Sequence, residues 1–475
     1  MKTLIDGRWT ETERWFDVYN KYNDDLIDRV PSCDESHIEK ALDSATAAAN
    51  TMRKLAAYER AEILKKASKA LLKSSEDLAR TISSEAGKPL KFSRRETKRA
   101  IITLEFASEE AKRITGETIA FDAEPRGVQR YGYWFRVPVG IVAAITPFND
   151  PLNLVAHKIG PAIAAGNATV LKPSSLTPLS ALNLARVLTD CGLPLGSLNV
   201  VTGAGNQIGK KLVSDPRVRL VTFTGGVEAA RDIVNWAGIK RLAMELGSNC
   251  PAIVMNDAQL DSALECCVES SYSCQGQNCL HAQRFYIQDG IYAEFVHRMT
   301  SIVEKLILGD PLNEKTDVGP MITEREAARV EEWVNDALKK GAKLLVGGRR
   351  DGKMFSPTLL EDIPNDTKIA NEEVFGPVSA VYKFHKLSEA IEASNRTDYG
   401  LQAGIFTKNV NTALRAVQDL DFGGVLVNDT SDFRVDFMPF GGLKLSGLGR
   451  EGIRFAIEEM TEIKTVIYKT IGGEV

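Results

Sequence analysis

Between residues 140 and 223 the chain repeats one pattern, a short and almost wholly apolar run followed by a stretch of helical composition. The apolar runs fall at 140–145, 168–171, 198–201 and 220–223, and the helical stretches at 152–165, 178–191 and 208–213. A strand that is apolar at nearly every position must be buried on both faces, which a parallel sheet covered by helices on each side provides. The pattern therefore predicts a doubly wound, Rossmann-type α/β sheet. The rhythm resumes after Glu245 in a second register, with strands at 252–255, 284–287, 403–407 and 424–427 and helices at 260–271, 292–308 and 324–340. A domain boundary is expected near 245–251, as suits 475 residues, too many for a single core.

The part before residue 140 reads differently. Strands are expected at 4–9 and 24–30, then helices from 36 onward, at 60–72, at 77–85 (stopped by Gly87-Lys88-Pro89) and at 96–114, a helical layer for the later sheet. In 129–137, Tyr131, Tyr133 and Phe135 alternate with other residues, and Arg126, Arg130 and Arg136 flank them; this is expected to be a projecting β hairpin. The charged runs 324–332 and 339–350 read as solvated faces.

Charge excludes some functions. A net charge of -4 and a pI near 5.9 leave no electrostatic footprint for nucleic acid or an anionic membrane. The first residues turn polar too soon for a secretory signal, and no apolar run approaches the ~18 residues of a membrane span. The 7 cysteines are odd in number, and Cys266, Cys267, Cys274 and Cys279 crowd together, which is not a disulfide framework. A reducing cytoplasm is the expected location.

The segment from Tyr272 to Arg284 is the best candidate for chemistry. A thiol is a nucleophile only if partly ionised and reachable, and Gly276 and Gln277 suit a turn that carries Cys279 to a cavity. The bland alternative is one more buried thiol. Cys274, Cys279 and His281 match no zinc spacing, and no metal is expected. Two glycine loops follow strands and open helices. Gly203-Ala204-Gly205 through Gly209 is one residue longer than the usual dinucleotide spacing, and Phe223-Thr224-Gly225-Gly226 would let a phosphate approach backbone N–H groups. A plain tight turn would explain either loop. Lys172 adds a cation at a strand end.

Read together, these pieces resemble the aldehyde dehydrogenase superfamily over the whole chain. The motifs are Thr146-Pro147-Phe148-Asn149, Leu171-Lys172-Pro173, Phe223-Thr224-Gly225, Glu245-Leu246-Gly247, Gly276-Gln277-Asn278-Cys279, Glu373-Val374-Phe375-Gly376-Pro377, and Pro439-Phe440-Gly441-Gly442 through Ser446-Gly447 to Gly449-Arg450-Glu451. The resemblance implies that Cys279 is the nucleophile and Glu245 the general base, with the Asn149 amide and the Cys279 N–H as oxyanion hole. It implies that NADP or NAD is held by Thr146, Pro147, Phe148, Lys172, Ser175, Gly205, Thr224, Gly225, Gly226, Leu246, Glu373 and Phe375. It further implies a cofactor domain at 1–122 and 141–246, a catalytic domain at 247–440, and an oligomerisation element pairing 123–140 with 441–475 in a homodimer or homotetramer.

Departures from the family's pattern refine these expectations. Ser175 stands where many NAD-preferring relatives carry glutamate, and a hydroxyl tolerates a 2′-phosphate that a carboxylate would repel, so NADP should serve at least as well as NAD. Gly226 replaces a frequent serine. The segment around Asn428-Asp429 and Phe433-Arg434-Val435-Asp436 resembles the lactaldehyde and glycolaldehyde branch, implying a small aliphatic or hydroxylated aldehyde. His157 and Arg434 are candidates to touch a polar substrate, against the structural readings of His157 as a satisfied helix residue and Arg434 as a loop ion-pair partner. The rival readings are a CoA-acylating enzyme, which Glu245 argues against, and a catalytically silent member of the fold.

Overall fold

The computed structural model describes residues 1–470; the last part of the expected 441–475 element, residues 471–475, lies outside the described residues. Its frame is two largely parallel sheets. The 8-stranded sheet runs in the order Arg8–Thr10, Thr3–Ile5, Leu198–Val200, Ala168–Lys172, Ile141–Ile145, Val218–Thr224, Arg241–Glu245 and Gly447–Leu448. Its middle strands are parallel, with an antiparallel strand or hairpin at each edge. Strand order reverses between Ile141–Ile145 and Val218–Thr224, so the loops after Ile145 and Thr224 open onto the crevice where such sheets bind ligands.

The reason for this arrangement is in the apolar runs. Val142, Ala143, Ala144, Val170, Leu171, Leu220 and Val221 are fully buried, with helix Asn153–Ala165 on one side and helices Gly205–Ser214 and Val227–Ala237 on the other. Each large apolar side chain so buried contributes about 1.5–3 kcal/mol. The helical layer packs as expected, although the helix read at 96–114 is Leu90–Glu110 and begins directly after Pro89, which supplies its N-cap. The strand read at 4–9 is a hairpin, because Asp6 and Gly7 both take positive φ (56° and 66°) and reverse the chain.

Across residues 246–249 the chain crosses into the 7-stranded sheet, ordered Lys343–Val346, Thr358–Glu361, Val378–Phe384, Ala282–Gln288, Cys250–Val254, Gln402–Phe406 and Gly424–Val427. The first three were not read from the sequence. The charged run at 339–350 contains the antiparallel edge strand Lys343–Val346 as well as solvated residues. Strand Arg130–Pro138 does not project alone: it pairs antiparallel with Thr461–Lys469 along its length and with Glu117–Thr118 on its other edge. The segment that follows Phe440 serves several structures. Leu443–Lys444 pairs with Tyr399–Gly400, Gly447–Leu448 completes the first sheet, and helix Ile453–Glu459 packs on helix Asn153–Ala165.

Candidate active site

A cavity of about 60 Å³ lies between helix Leu90–Glu110, the loop after Ile145 and the cysteine loop, and Cys279 and Asn149 both line it. The cysteine loop is built by an unusual backbone. Cys274, Gln275 and Gly276 take left-handed φ values of 51°, 58° and 64° in succession. Gly276 is obligatory, since a Cβ there would sit 2.1 Å from the carbonyl oxygen of Gly376. Buried Gln275 anchors the turn by donating from Nε2 to the carbonyls of Gly87 (2.7 Å) and Pro320 (2.8 Å), and Gln277 accepts from Ile322 N–H at 3.0 Å. The half-buried thiol of Cys279 emerges from this anchored loop.

Glu245 reaches the same place from the end of its strand in the other sheet. Its Oε2 lies 4.0 Å from Cys279 Sγ, and its buried Oε1 has no hydrogen-bond partner. Burial first, then the nearby Glu451 carboxylate, holds the Glu245 carboxyl well above the usual range. Burial and Glu245 likewise raise the Cys279 thiol, while the Arg434 guanidinium pulls it down. Neither the backbone N–H of Cys279 nor the side-chain amide of Asn149 has a hydrogen-bond partner among the described residues. The site therefore offers a thiol, an unsatisfied carboxyl oxygen and two open donors. An acyl-transfer centre needs these groups.

At the sheet's crevice, Lys172 is buried and donates only to the carbonyl of Pro173 at 3.0 Å. Burial alone lowers its ammonium to about 8. Gly205 stands over it, since a Cβ there would be 3.6 Å from Lys172 Cε. Gly226 faces open space, Gly225 N–H donates to the Glu245 carbonyl, and Thr224 Oγ1 lies 3.5 Å from Glu451. The buried hydroxyl of Thr146 has no partner. Leu246 N–H is tied to the Ser446 carbonyl at 3.0 Å. Glu373 accepts from Ser248 N–H at 2.9 Å beneath Gly247, and burial raises its carboxyl to about 7. Phe148 and Phe375 meet edge to face at 5.7 Å, with Phe375 at a positive φ of 44°.

Of the two candidate substrate contacts, His157 follows its structural reading and is turned away from the cavity. His157 has no exposed side-chain surface and does not line the cavity; its Nε2 pairs with Asp436 Oδ1 at 2.8 Å, and Nδ1 faces Arg434 at 3.5 Å. Arg434 does line the cavity, held by Glu451 at 3.0 Å and stacked 3.7 Å over the Phe440 ring. Burial would raise Glu451, but Lys158 and Arg434 outweigh it and keep that carboxylate ionised.

The sequence reading missed an ionic cluster around the cavity. Lys88 is paired with Glu96 (2.5 Å) and Asp150, and Arg99 with Asp436 (2.9 Å). Glu96 Oε1 also accepts from the N–H groups of Leu152 and Asn153, capping the first turn of helix Asn153–Ala165. The available signal was periodicity: Glu96 lies four and eight residues before Ala100 and Leu104, on the buried face of its helix.

Residues 9–466 match the model of the aldehyde dehydrogenase family. The chain belongs to that family. It is 43% identical over 464 residues to the 3-sulfolactaldehyde dehydrogenase of Priestia megaterium, covering 98% of this chain and 97% of the relative. Among solved structures it resembles aldehyde dehydrogenase 21 from Physcomitrella patens in complex with the reaction product succinate (TM-score 0.97, 40% identity, 99% of this chain and 98% of that one). It also resembles a glyceraldehyde-3-phosphate dehydrogenase from Methanocaldococcus jannaschii complexed with NADP (TM-score 0.93, 39% identity, 97% and 100%). This aldehyde dehydrogenase contains no helix among the described residues long and apolar enough to cross a membrane.

Proposed function

We propose that this enzyme oxidises a small, hydroxylated aldehyde to its carboxylic acid through a covalent intermediate on Cys279, with NADP used at least as well as NAD. The observation that carries the reading is the pairing of Cys279 Sγ with Glu245 Oε2 at 4.0 Å, beside a cavity that Cys279 and Asn149 line. The thiol gives up its proton to solvent, and the thiolate sulfur adds to the aldehyde carbon. The carbonyl oxygen becomes an alkoxide, held by the Asn149 amide and the Cys279 N–H. When bound, the dinucleotide supplies a nicotinamide that accepts hydride. Cys279 is thereby left as a thioester. A raised pKa suits Glu245 to take a proton from water as the water oxygen adds to the thioester carbon; the carbon–sulfur bond then breaks and the acid leaves. Arg434, in the cavity and facing the thiol electrostatically, favours the thiolate and is placed to meet a polar substituent on the substrate.

The crevice fits a dinucleotide. A buried, underused ammonium at Lys172, the shelf at Gly205, the open approach at Gly226 and the unpartnered Thr146 hydroxyl are what ribose and phosphate oxygens require. Lys172 with Ser175 would hold the adenosine ribose and tolerate its 2′-phosphate, in keeping with the NADP bound by the Methanocaldococcus relative. Thr224, Gly225, Gly226 and Leu246 would lie along the pyrophosphate, and Pro147, Phe148, Glu373 and Phe375 near the nicotinamide end. Glu245 beside the sulfur favours water over a thiol acceptor and argues against a silent fold. The strand pair Arg130–Pro138 and Thr461–Lys469, which exposes Tyr131, Ile463, Ile467 and Tyr468, would join subunits into a dimer or tetramer. Steady-state kinetics with lactaldehyde, glyceraldehyde 3-phosphate, succinate semialdehyde and benzaldehyde, each with both dinucleotides, test the reading. An aromatic or dianionic substrate favoured by orders of magnitude, or NADP far poorer than NAD, would refute it.

A further inference from the structure

We infer that the aldehyde carries an anionic head, such as a carboxylate or sulfonate, held by Arg95 and Arg99, one helical turn apart on helix Leu90–Glu110. This rests on the aldehyde-oxidising reading of the Cys279 site and narrows its substrate. Arg95, Arg99, Lys88 and Arg434 line the same cavity as Cys279. Cations alone decide nothing there, because carboxyls line it too; the decisive feature is which hydrogen-bonding groups remain unfilled.

The carboxyl oxygens are largely occupied. Glu96 accepts from Lys88 and from two backbone N–H groups, Asp150 Oδ1 from Lys88, and Asp432 Oδ1 from Asn278 Nδ2 at 2.5 Å. Burial raises two of these carboxyls, Glu96 to about 7 and Asp432 to about 6, which weakens their opposition to an incoming anion. The guanidinium donors are in surplus. Arg99 gives Nε and Nη2 to Asp436, but its Nη1 reaches only Asp150 Oδ2 at 3.6 Å. Arg95 gives Nη1 to Glu269 and a long 3.4 Å contact from Nη2 to Asp432, leaving Nε without a partner among the described residues. A cavity with filled acceptors and spare guanidinium N–H groups selects an acceptor-rich, negatively charged ligand over an ammonium.

The test compares kcat/KM for lactaldehyde, succinate semialdehyde and 3-sulfolactaldehyde in the full-length enzyme, Arg95→Gln and Arg99→Gln, with binding of succinate to Cys279→Ala measured by calorimetry with and without each arginine change. Arg95 is half-exposed, whereas Arg99 is half-buried and paired with buried Asp436, so Arg95→Gln tests the head-group contact with less disturbance of the fold. The inference expects one monoanionic aldehyde, carboxylate or sulfonate, to beat lactaldehyde at least tenfold. It expects that advantage to shrink at least tenfold in Arg95→Gln, and succinate affinity to fall with it. Preference for lactaldehyde, or an anion preference and succinate affinity unmoved by Arg95→Gln, would overturn the inference while leaving Cys279 chemistry standing. No turnover of any aldehyde would overturn both.

Discussion

Replacing Glu245 with glutamine separates the two halves of the proposed reaction. The side chain keeps its shape and its place 4.0 Å from Cys279 Sγ but cannot accept a proton from water. A positioned general base contributes about 10²–10⁴-fold, or roughly 3–5.5 kcal/mol of barrier at 1.36 kcal/mol per decade. The nearby Glu451 carboxylate is held by Arg434 and Lys158 and is not free to replace it. Sulfur addition should suffer less, since burial and the Glu245 carboxylate both raise the thiol in the native enzyme, and Glu245→Gln removes the second of these. Stopped-flow absorbance of reduced nicotinamide should therefore show a burst of about one equivalent per active site, then a steady state slowed about 10²–10⁴-fold. A variant with unchanged kcat, or one lacking any burst while still binding dinucleotide, would refute the assignment of Glu245 to hydrolysis.

Other perturbations have equally definite outcomes. The thiol lies above its ordinary pKa, so its ionised fraction grows with pH, and kcat/KM should climb from pH 6 to pH 9; a flat profile would contradict the burial of Cys279. Ser175→Glu places a carboxylate beside the expected 2′-phosphate site, costing a few kcal/mol by Coulomb repulsion at roughly 4–6 Å, and should raise KM for NADP at least tenfold over that for NAD. Gly276→Ala drives a methyl into the Gly376 carbonyl at 2.1 Å on a left-handed backbone; it should lower stability by about 1–3 kcal/mol and depress kcat, read by thermal unfolding and initial rates. Asp436→Asn takes the anion from a group paired with both Arg99 and His157 and should cost about 3–5 kcal/mol in denaturant unfolding.

The architecture was legible where burial left a mark on composition. Runs such as Ile141–Ile145 and Ala168–Lys172 lie where their apolar character placed them, as parallel neighbours. Strand Val378–Phe384 escaped notice because Ser379 interrupts its apolar run, and Lys343–Val346 because an edge strand tolerates lysine on its open side. The site was less legible. Cys279 and Glu245 are 34 positions apart and meet only because two sheets face each other, so their partnership came from the resemblance of motifs and not from spacing. His157 and Asp436, 279 positions apart, bury one another, and nothing local distinguishes such a histidine from one that reaches a ligand. Arg95 and Arg99 carry no local mark of a site, and only the fold brings them to the thiol's cavity.

The central claim is that the aldehyde becomes covalently attached to one sulfur. Glu245→Gln enzyme incubated with labelled aldehyde and oxidised dinucleotide, quenched in acid and digested, tests it directly by peptide mass spectrometry. The predicted result is one acyl group per chain on the peptide containing Cys279, lost in Cys279→Ala. Label on another cysteine, or turnover that persists in Cys279→Ala, would contradict the account.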